Sequence, residues 1–236
     1  YRSALRKART VFFENEENAQ FFLKRNIISN VQARVLPGAG INLDEYPYVP
    51  MQDDGVCSFL FVGRIMKEKG VDEFFAAAKT LKAEFGERAS FDVVGFYEDA
   101  YKETVEKLVD DGIVNFHGFQ SNVHPFYEKT DCVVLPSYHE GMSNVLLEGA
   151  AIGRPLITSD ISGCREAVEY GLSGYLCKPQ DAESLTNVMR KFAKKTFGEQ
   201  SQMGLCGRAL VERKFDKHIV VAQTISGRWL DEAVRR

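Results

Sequence analysis

Short apolar runs at residues 10–13, 33–36, 58–62, 91–94, 113–116, 132–135, 155–158 and 174–176 recur along the chain, and most of the gaps between them carry helical periodicity. Runs this short, bounded by turn formers, suit strands buried on both faces. Between Val62 and Phe91 the residues Phe74, Phe75, Ala78, Leu81 and Phe85 recur at helical spacing, and residues 104–109, 145–151 and 185–192 behave likewise. A strand followed by a helix returns parallel to its predecessor. The alternation therefore predicts an α/β protein with a Rossmann-like, doubly wound parallel sheet and helices on both faces. In that architecture ligands lie at the carboxyl ends of the strands, so chemistry is expected in the loops that leave them.

With 236 residues, 44% of them apolar, the chain can fill a sizeable core. Lys and Arg number 30 against 33 Asp and Glu, a formal charge of −3, so the basic footprint of a nucleic-acid binder is missing. Cys57, Cys132, Cys164, Cys177 and Cys206 are odd in number, far apart and without a Cys-x-x-Cys pair. Neither a zinc site nor a disulfide framework is indicated, and a reducing cytoplasm is the expected setting. No apolar run approaches the roughly 20 residues of a membrane-spanning helix, and no signal-peptide pattern opens the chain. Pro37-Gly38-Ala39-Gly40, with Pro47 and Pro50 beyond, reads as a linker with a boundary near residue 50. The stretch 218–234 is amphipathic and carries the only tryptophan, Trp229, which predicts a helix docked on an apolar surface.

The sharpest constellation is the loop Pro136-Ser137-Tyr138-His139-Glu140-Gly141-Met142-Ser143-Asn144, which leaves the strand at 132–135 and enters a helix at Val145. Ser143 or Asn144 suits the N-cap, and Gly141 lets the loop backbone approach a ligand closely. The amides of such a helix start carry about half a positive charge, which favours a phosphate oxygen. Glu148 lies a rise of roughly 7–8 Å beyond Ser143, at about 1.5 Å per residue. That is about the reach from a diphosphate to a ribose, whose vicinal hydroxyls a carboxylate can accept. Glu140, ahead of the helix, would face a sugar carried beyond such a diphosphate.

A second loop, Gly63-Arg64-Ile65-Met66-Lys67-Glu68-Lys69-Gly70, leaves the strand at 58–62. Arg64 and Lys69 stand where a helix dipole disfavours cations. Cations aimed at a departing nucleoside diphosphate stabilise the charge that grows as a glycosidic bond breaks. Arginine supplies a fork and lysine a point charge. By contrast, His117 taken alone reads as a half-buried histidine at a strand end.

With these residues in view, the stretch from Cys57 to Phe215 resembles the family-4 retaining glycosyltransferases of GT-B fold. The likeness rests on Gly-Arg-x-x-x-x-Lys-Gly at 63–70, on Glu140 and Glu148 with seven residues between them, and on Gly-x-Pro-Leu-Ile-Thr-Ser-Asp at 153–160 followed by Gly163 and Glu166. It implies that Gly63, Arg64 and Lys69 hold the donor diphosphate, that Glu140 contacts the donor sugar and that Glu148 binds the ribose. It further implies that amides at Gly141, Met142, Ser143 and Asn144 complete the diphosphate and sugar contacts, and that the backbone of His117-Gly118-Phe119 reads the nucleobase. Many relatives carry a second glycine soon after the position of Gly95, whereas this chain has Gly95-Phe96-Tyr97-Glu98, which weakens the expectation of a ligand contact there.

The same resemblance implies residues 51–236 to be the donor-binding half of a GT-B enzyme with a C-terminal crossover helix, and residues 1–50 to be the end of the N-terminal acceptor domain and the linker. The expected reaction is transfer of a hexosyl group from a nucleoside diphosphate sugar, with UDP as the carrier, to a hydroxyl acceptor with retention, in polysaccharide or lipid-linked glycan synthesis. Nothing resembles an Asp-x-Asp metal loop, so no metal and no cofactor beyond the donor are expected. The acceptor's domain is missing from a chain of this length, so the chain alone is expected to bind donor without turnover. The full-length enzyme is compatible with peripheral association at the inner face of a membrane. Two other readings stay open: a sugar-nucleotide 2-epimerase on the same scaffold, which product analysis separates, and a noncatalytic doubly wound binding module, which predicts no nucleotide-dependent rise in melting temperature.

Overall fold

The computed structural model describes residues 1–225. A short helical turn α1 (Arg2–Leu5) leads into β1 (Val11–Phe13), α2 (Glu16–Lys24) and β2 (Ala33–Val35), and the two strands pair in parallel. Asn15 starts α2 by accepting the Asn18 N–H on its side-chain oxygen at 2.9 Å, and Glu16 and Glu17 in the first turn suit the helix dipole. The apolar cluster here is small. Phe13, Ala19 and Ile28 are buried in it, while Phe12, Phe21 and Val31 are exposed.

Beyond residue 56 the chain builds a six-stranded sheet from β3 (Cys57–Val62), β4 (Ala89–Val94), β5 (Asn115–Phe116), β6 (Cys132–Leu135), β7 (Leu156–Ser159) and β8 (Gly174–Cys177). All neighbours are parallel, in the order β5-β4-β3-β6-β7-β8. Each run read as a strand is one, displaced by a few residues at most. The connecting helices are α3 (Val71–Phe85), α4 (Lys102–Asp110), α5 (His124–Lys129), α6 (Asn144–Ile152), α7 (Ala182–Ala193) and α8 (Phe197–Lys214), and α9 (Lys217–Ile225) closes the described chain. Six-residue α5, with proline in its first turn, is too short for its periodicity to register. Trp229 lies outside the described residues.

Burial on both faces is what makes the strand runs continuous in sequence. Every residue of β6 and β7 is buried. Phe59 of β3 stacks on Phe91 of β4 with ring centroids 5.5 Å apart, and Phe192 of α7 meets Phe59 edge-on at 5.9 Å. Burying each such ring stabilises the fold by about 1.5–3 kcal/mol. The chain steps outward from β3 to β5, then returns and steps outward on the other side from β6 to β8. The carboxyl ends of β3 and β6 therefore flank a crevice at the switch point.

The Gly/Pro-rich stretch at 37–50 is pinned along its length. The Ile41 N–H donates to Phe215 O at 2.7 Å, Lys217 N–H donates to Ile41 O at 2.9 Å, and Val49 N–H donates to Ile152 O at 3.0 Å. Arg208 of α8 clamps the carbonyls of Tyr46 and Ala151 at 2.7 and 2.6 Å. Gly and Pro break regular structure here without leaving the segment loose. No helix among the described residues is long and apolar enough to cross a membrane.

Candidate active site

The loops that leave β3 and β6 lie against each other at the switch point. The Tyr138 N–H donates to Glu68 O at 2.8 Å and the Ser137 hydroxyl donates to the same carbonyl at 3.2 Å. Gly70 makes this approach possible: its φ is +72°, and a Cβ there would stand 2.0 Å from Pro136 O. The contact brings Lys69 Nζ to Glu140 Oε1 at 2.6 Å, with the two side chains 25% and 13% exposed. A charge-assisted bond this short, half-shielded from water, is of the stronger kind. Lys69 and Glu140, expected to hold different parts of a donor, thus hold each other across the crevice. Arg64 shares the first loop but is exposed, with no hydrogen bond or ion pair among the described residues. The Gly63 N–H donates to Val94 O at 3.0 Å, so it extends the sheet ladder and is not free for a ligand.

Ser143 caps α6, its hydroxyl accepting the Leu146 N–H at 3.4 Å. Its own N–H is taken by Gly163 O at 3.0 Å, so among the loop amides expected to complete the diphosphate and sugar contacts this one already has a partner. Glu166 explains why: its carboxylate accepts the Gly163 N–H at 2.8 Å and the Ser162 hydroxyl at 3.2 Å, and so braces the Gly163 turn under the helix start. Met142 is buried and Asn144 is exposed as the first residue of α6.

The space beside Gly141, expected to admit a ligand, is filled by the N-terminal unit. A Cβ on Gly141 would meet a carboxylate oxygen of Glu14 at 1.9 Å. The Asn15 side-chain amide donates to Gly141 O at 2.8 Å and to Glu140 O at 3.4 Å, and Arg165 reaches Glu17 at 3.3 Å. One buried side chain, Asn15, both caps α2 and holds the β6 loop. A pocket of about 190 Å³ opens between the two regions, lined by Asn15, Asn18, Tyr138, Glu140, Ser162 and Arg165 among others. Asn15 escapes a sequence reading as a site residue because its signal, a polar residue before a helix, is that of an ordinary cap.

Glu148 sits one helical turn into α6, half-buried, and its Oε2 accepts the Tyr127 hydroxyl at 2.8 Å. The Tyr46 phenol lies near enough to the same carboxylate for each to shift the other's proton affinity. Burial raises the Glu148 pKa, and the two phenols and nearby His124 oppose that rise. The phenols respond in the same sense: burial, then Glu148, pushes Tyr46 up to about 12 and Tyr127 well above its ordinary value. The His124 ring stacks on Tyr46 at 4.3 Å and 19°. Nothing local in the sequence ties Tyr46 or Tyr127 to Glu148. The available signal is general: a half-buried acid on a helix needs donors.

At the 117–119 turn, the His117 ring is bound to Asp92 Oδ1 at 2.7 Å and packs on Phe126 at 4.8 Å. The His117 N–H donates to Val93 O, and Gly95 N–H donates to Gly118 O, both at 2.9 Å. Gln120 takes the His117 carbonyl at 2.7 Å. The turn prolongs the β4–β5 ladder, so the His117 amide and the Gly118 carbonyl are spent on the sheet; Phe119 remains 70% exposed beside it. The cysteines are all unpaired, and burial pushes the thiols of Cys57, Cys164 and Cys177 up to about 12, which leaves them unreactive. Among the described residues no group of three or more His, Cys, Asp or Glu converges as a metal site would.

A family model, glycosyl transferases group 1, matches residues 57–195, more than half of the chain. Among characterised proteins, the chain is 28% identical over 198 residues to N,N'-diacetylbacillosaminyl-diphospho-undecaprenol alpha-1,3-N-acetylgalactosaminyltransferase of Campylobacter jejuni, covering 79% of this chain and 51% of that protein. It thus spans about half the length of this relative. Among solved structures, sucrose-phosphate synthase from Thermosynechococcus elongatus superposes with a TM-score of 0.81 at 24% identity, covering 99% of this chain and 60% of that one. HepE of Anabaena, solved with UDP, superposes at 0.79 and 18% identity, covering 94% and 65%. These last two show a common fold, the Rossmann-like C-terminal half of a GT-B enzyme. The glycine-hinged loop at 63–70, the Ser143-capped helix with Glu140 before it and Glu148 within it, and the family match agree: the chain belongs to the group 1 glycosyl transferases.

Proposed function

We propose that this chain is the donor-binding half of a retaining hexosyltransferase that draws on a UDP-linked sugar and serves polysaccharide or lipid-linked glycan synthesis. The observation that carries the reading is the Lys69–Glu140 pair, 2.6 Å long, across the switch point of the sheet. A cation and an acid shielded together at the strand ends offer a diphosphate and a sugar hydroxyl their partners side by side. The Campylobacter relative's name, a sugar transferase acting on a diphospho-undecaprenol glycan, and the UDP bound to HepE support the choice of substrates.

In this reading the acceptor hydroxyl oxygen bonds the anomeric carbon on the face that the diphosphate leaves. The bond from that carbon to the phosphate oxygen breaks, and the acceptor's proton passes to the departing phosphate. Lys69 and exposed Arg64 stabilise the growing charge. Donor binding exchanges the Lys69–Glu140 bond for phosphate on Lys69 and sugar hydroxyl on Glu140. Glu148 accepts the ribose hydroxyls, and no metal is required. Residues 1–50 are the end of the acceptor half and its linker, so the chain by itself holds donor without useful turnover, since a crevice with one wall cannot orient both reactants.

Calorimetry with UDP and UDP-sugars in excess chelator tests this. Binding is expected without metal. Glu140→Gln is expected to spare UDP and weaken the intact sugar nucleotide, whereas Glu148→Gln weakens UDP itself by more than about tenfold. Binding that appears only on adding Mg²⁺ or Mn²⁺, or equal losses of UDP affinity in both variants, overturns the assignment.

A further inference from the structure

Three separate segments come together around the Glu148 carboxylate. Tyr127 comes from α5, Tyr46 from the pinned 37–50 stretch, and Glu148 from α6. Tyr127 is wholly buried, and its own carbonyl is gripped by the buried Arg154 Nε at 2.7 Å, so its hydroxyl is placed from both ends. Tyr46 is held by Arg208 on its carbonyl and by the stacked His124 ring. A carboxylate offers roughly four lone-pair positions. The Tyr127 hydroxyl occupies one of them and the Tyr46 phenol lies nearby, so at least two stay open, the number that a pair of vicinal hydroxyls needs. Glutamate is rich in rotamers when free, and a donor fixed by its own surroundings, with a second phenol close by, confines it to one orientation before any ligand arrives.

We propose that Tyr127 and Tyr46 are positioning residues that pre-set the Glu148 carboxylate for a ribose diol, and thereby set how strongly the site prefers ribonucleoside over deoxyribonucleoside diphosphates. The proposal rests on the reading of Glu148 as the ribose-binding group. Tyr127 acts from beneath the helix with its hydroxyl committed to one oxygen. Tyr46 acts from the flank, so the 37–50 stretch contributes to donor recognition and is more than a connection.

The test measures affinities of UDP, 2′-deoxy-UDP, GDP and 2′-deoxy-GDP by calorimetry on the wild type and on Glu148→Gln, Tyr127→Phe and Tyr46→Phe. In the wild type the ribonucleotide is expected to bind more than about tenfold tighter than its deoxy counterpart, and Glu148→Gln to erase that ratio. Tyr127→Phe is expected to cut the ratio to about threefold or less while the deoxy affinity stays within about twofold of wild type. Tyr46→Phe, which keeps the ring on His124, is expected to lower the ratio by a smaller factor, and it decides the matter if Tyr127→Phe does not fold. A ratio unchanged in Tyr127→Phe and Tyr46→Phe, or losses shared equally by ribo and deoxy forms, shows that the phenols only satisfy a buried acid and overturns the proposal while Glu148 keeps its role. No ribose preference in the wild type instead defeats the Glu148 reading itself, and this proposal with it.

Discussion

The chain contains two β-α-β arrangements that look alike in outline and differ in what holds them. In residues 57–225 a six-stranded sheet is covered on both faces, and whole strands such as β6 and β7 are buried. In residues 1–36 two three-residue strands share a cluster of three buried apolar side chains. The small unit is steadied by polar contacts to its larger neighbour, Asn15 to Gly141 and Glu17 to Arg165, and these fall on the loops that frame the candidate site. Polar seams of this kind separate more readily than apolar ones. A polar joint between the two regions therefore sits beside the residues assigned to the donor.

The largest effect is expected from the core. Phe59→Ala should lower the unfolding free energy of the six-stranded region by about 3–5 kcal/mol, read as a fall in its denaturant midpoint. Phe13→Ala should leave that midpoint nearly unchanged and instead raise amide exchange in residues 11–35. A common fall in midpoint for both variants would mean that the two regions unfold together, and the contrast between them would be lost.

Next comes the crevice. Lys69→Ala should weaken UDP by more than about tenfold, since hydrogen bonds to charged groups contribute about 1.5–3 kcal/mol. Exchange in residues 1–36 should not respond. If it does, the Lys69–Glu140 pair is part of the seam as well as of the site.

Asn15→Ala removes a helix cap and the bond to Gly141 O at once. The cap alone is worth about 1 kcal/mol. Faster exchange through α2, with UDP affinity held within about threefold, would place the seam outside the donor site; a larger loss of UDP affinity would show that the small unit helps to shape it.

The smallest effect, and one of opposite sign, is expected at Glu148. Burial raises its folded pKa above the ordinary 4.5, so the folded state binds the proton more tightly than the unfolded one. Its contribution to stability is complete below about 4.5 and is lost as pH rises through the folded pKa. Glu148→Gln should therefore melt slightly higher than the wild type at neutral pH, with the gain fading as pH falls toward 4.5. A variant that is less stable at neutral pH would show that the Tyr127 and Tyr46 contacts outweigh the burial of the charge.

Local chemistry in the sequence determined a good deal of this protein. Strand runs such as 58–62 and 132–135 are legible because a strand covered on both faces must be apolar throughout. The Ser143 cap is legible because a helix start needs an acceptor for its free amides. Lys69, Glu140 and Glu148 stand out through their places beside glycines and helix starts. Partnership across the fold is another matter. That Lys69 meets Glu140, that Glu14 fills the space at Gly141, that Gly163 takes the Ser143 amide and that His117 turns to Asp92 all depend on which loops the sheet order brings together. Tyr46 and Tyr127 converge on Glu148 only because α5 and the 37–50 stretch flank α6 in space. A side chain's type and its immediate neighbours set what it is able to bind, whereas its actual partner is chosen by packing between segments whose separation along the chain carries no record of their approach.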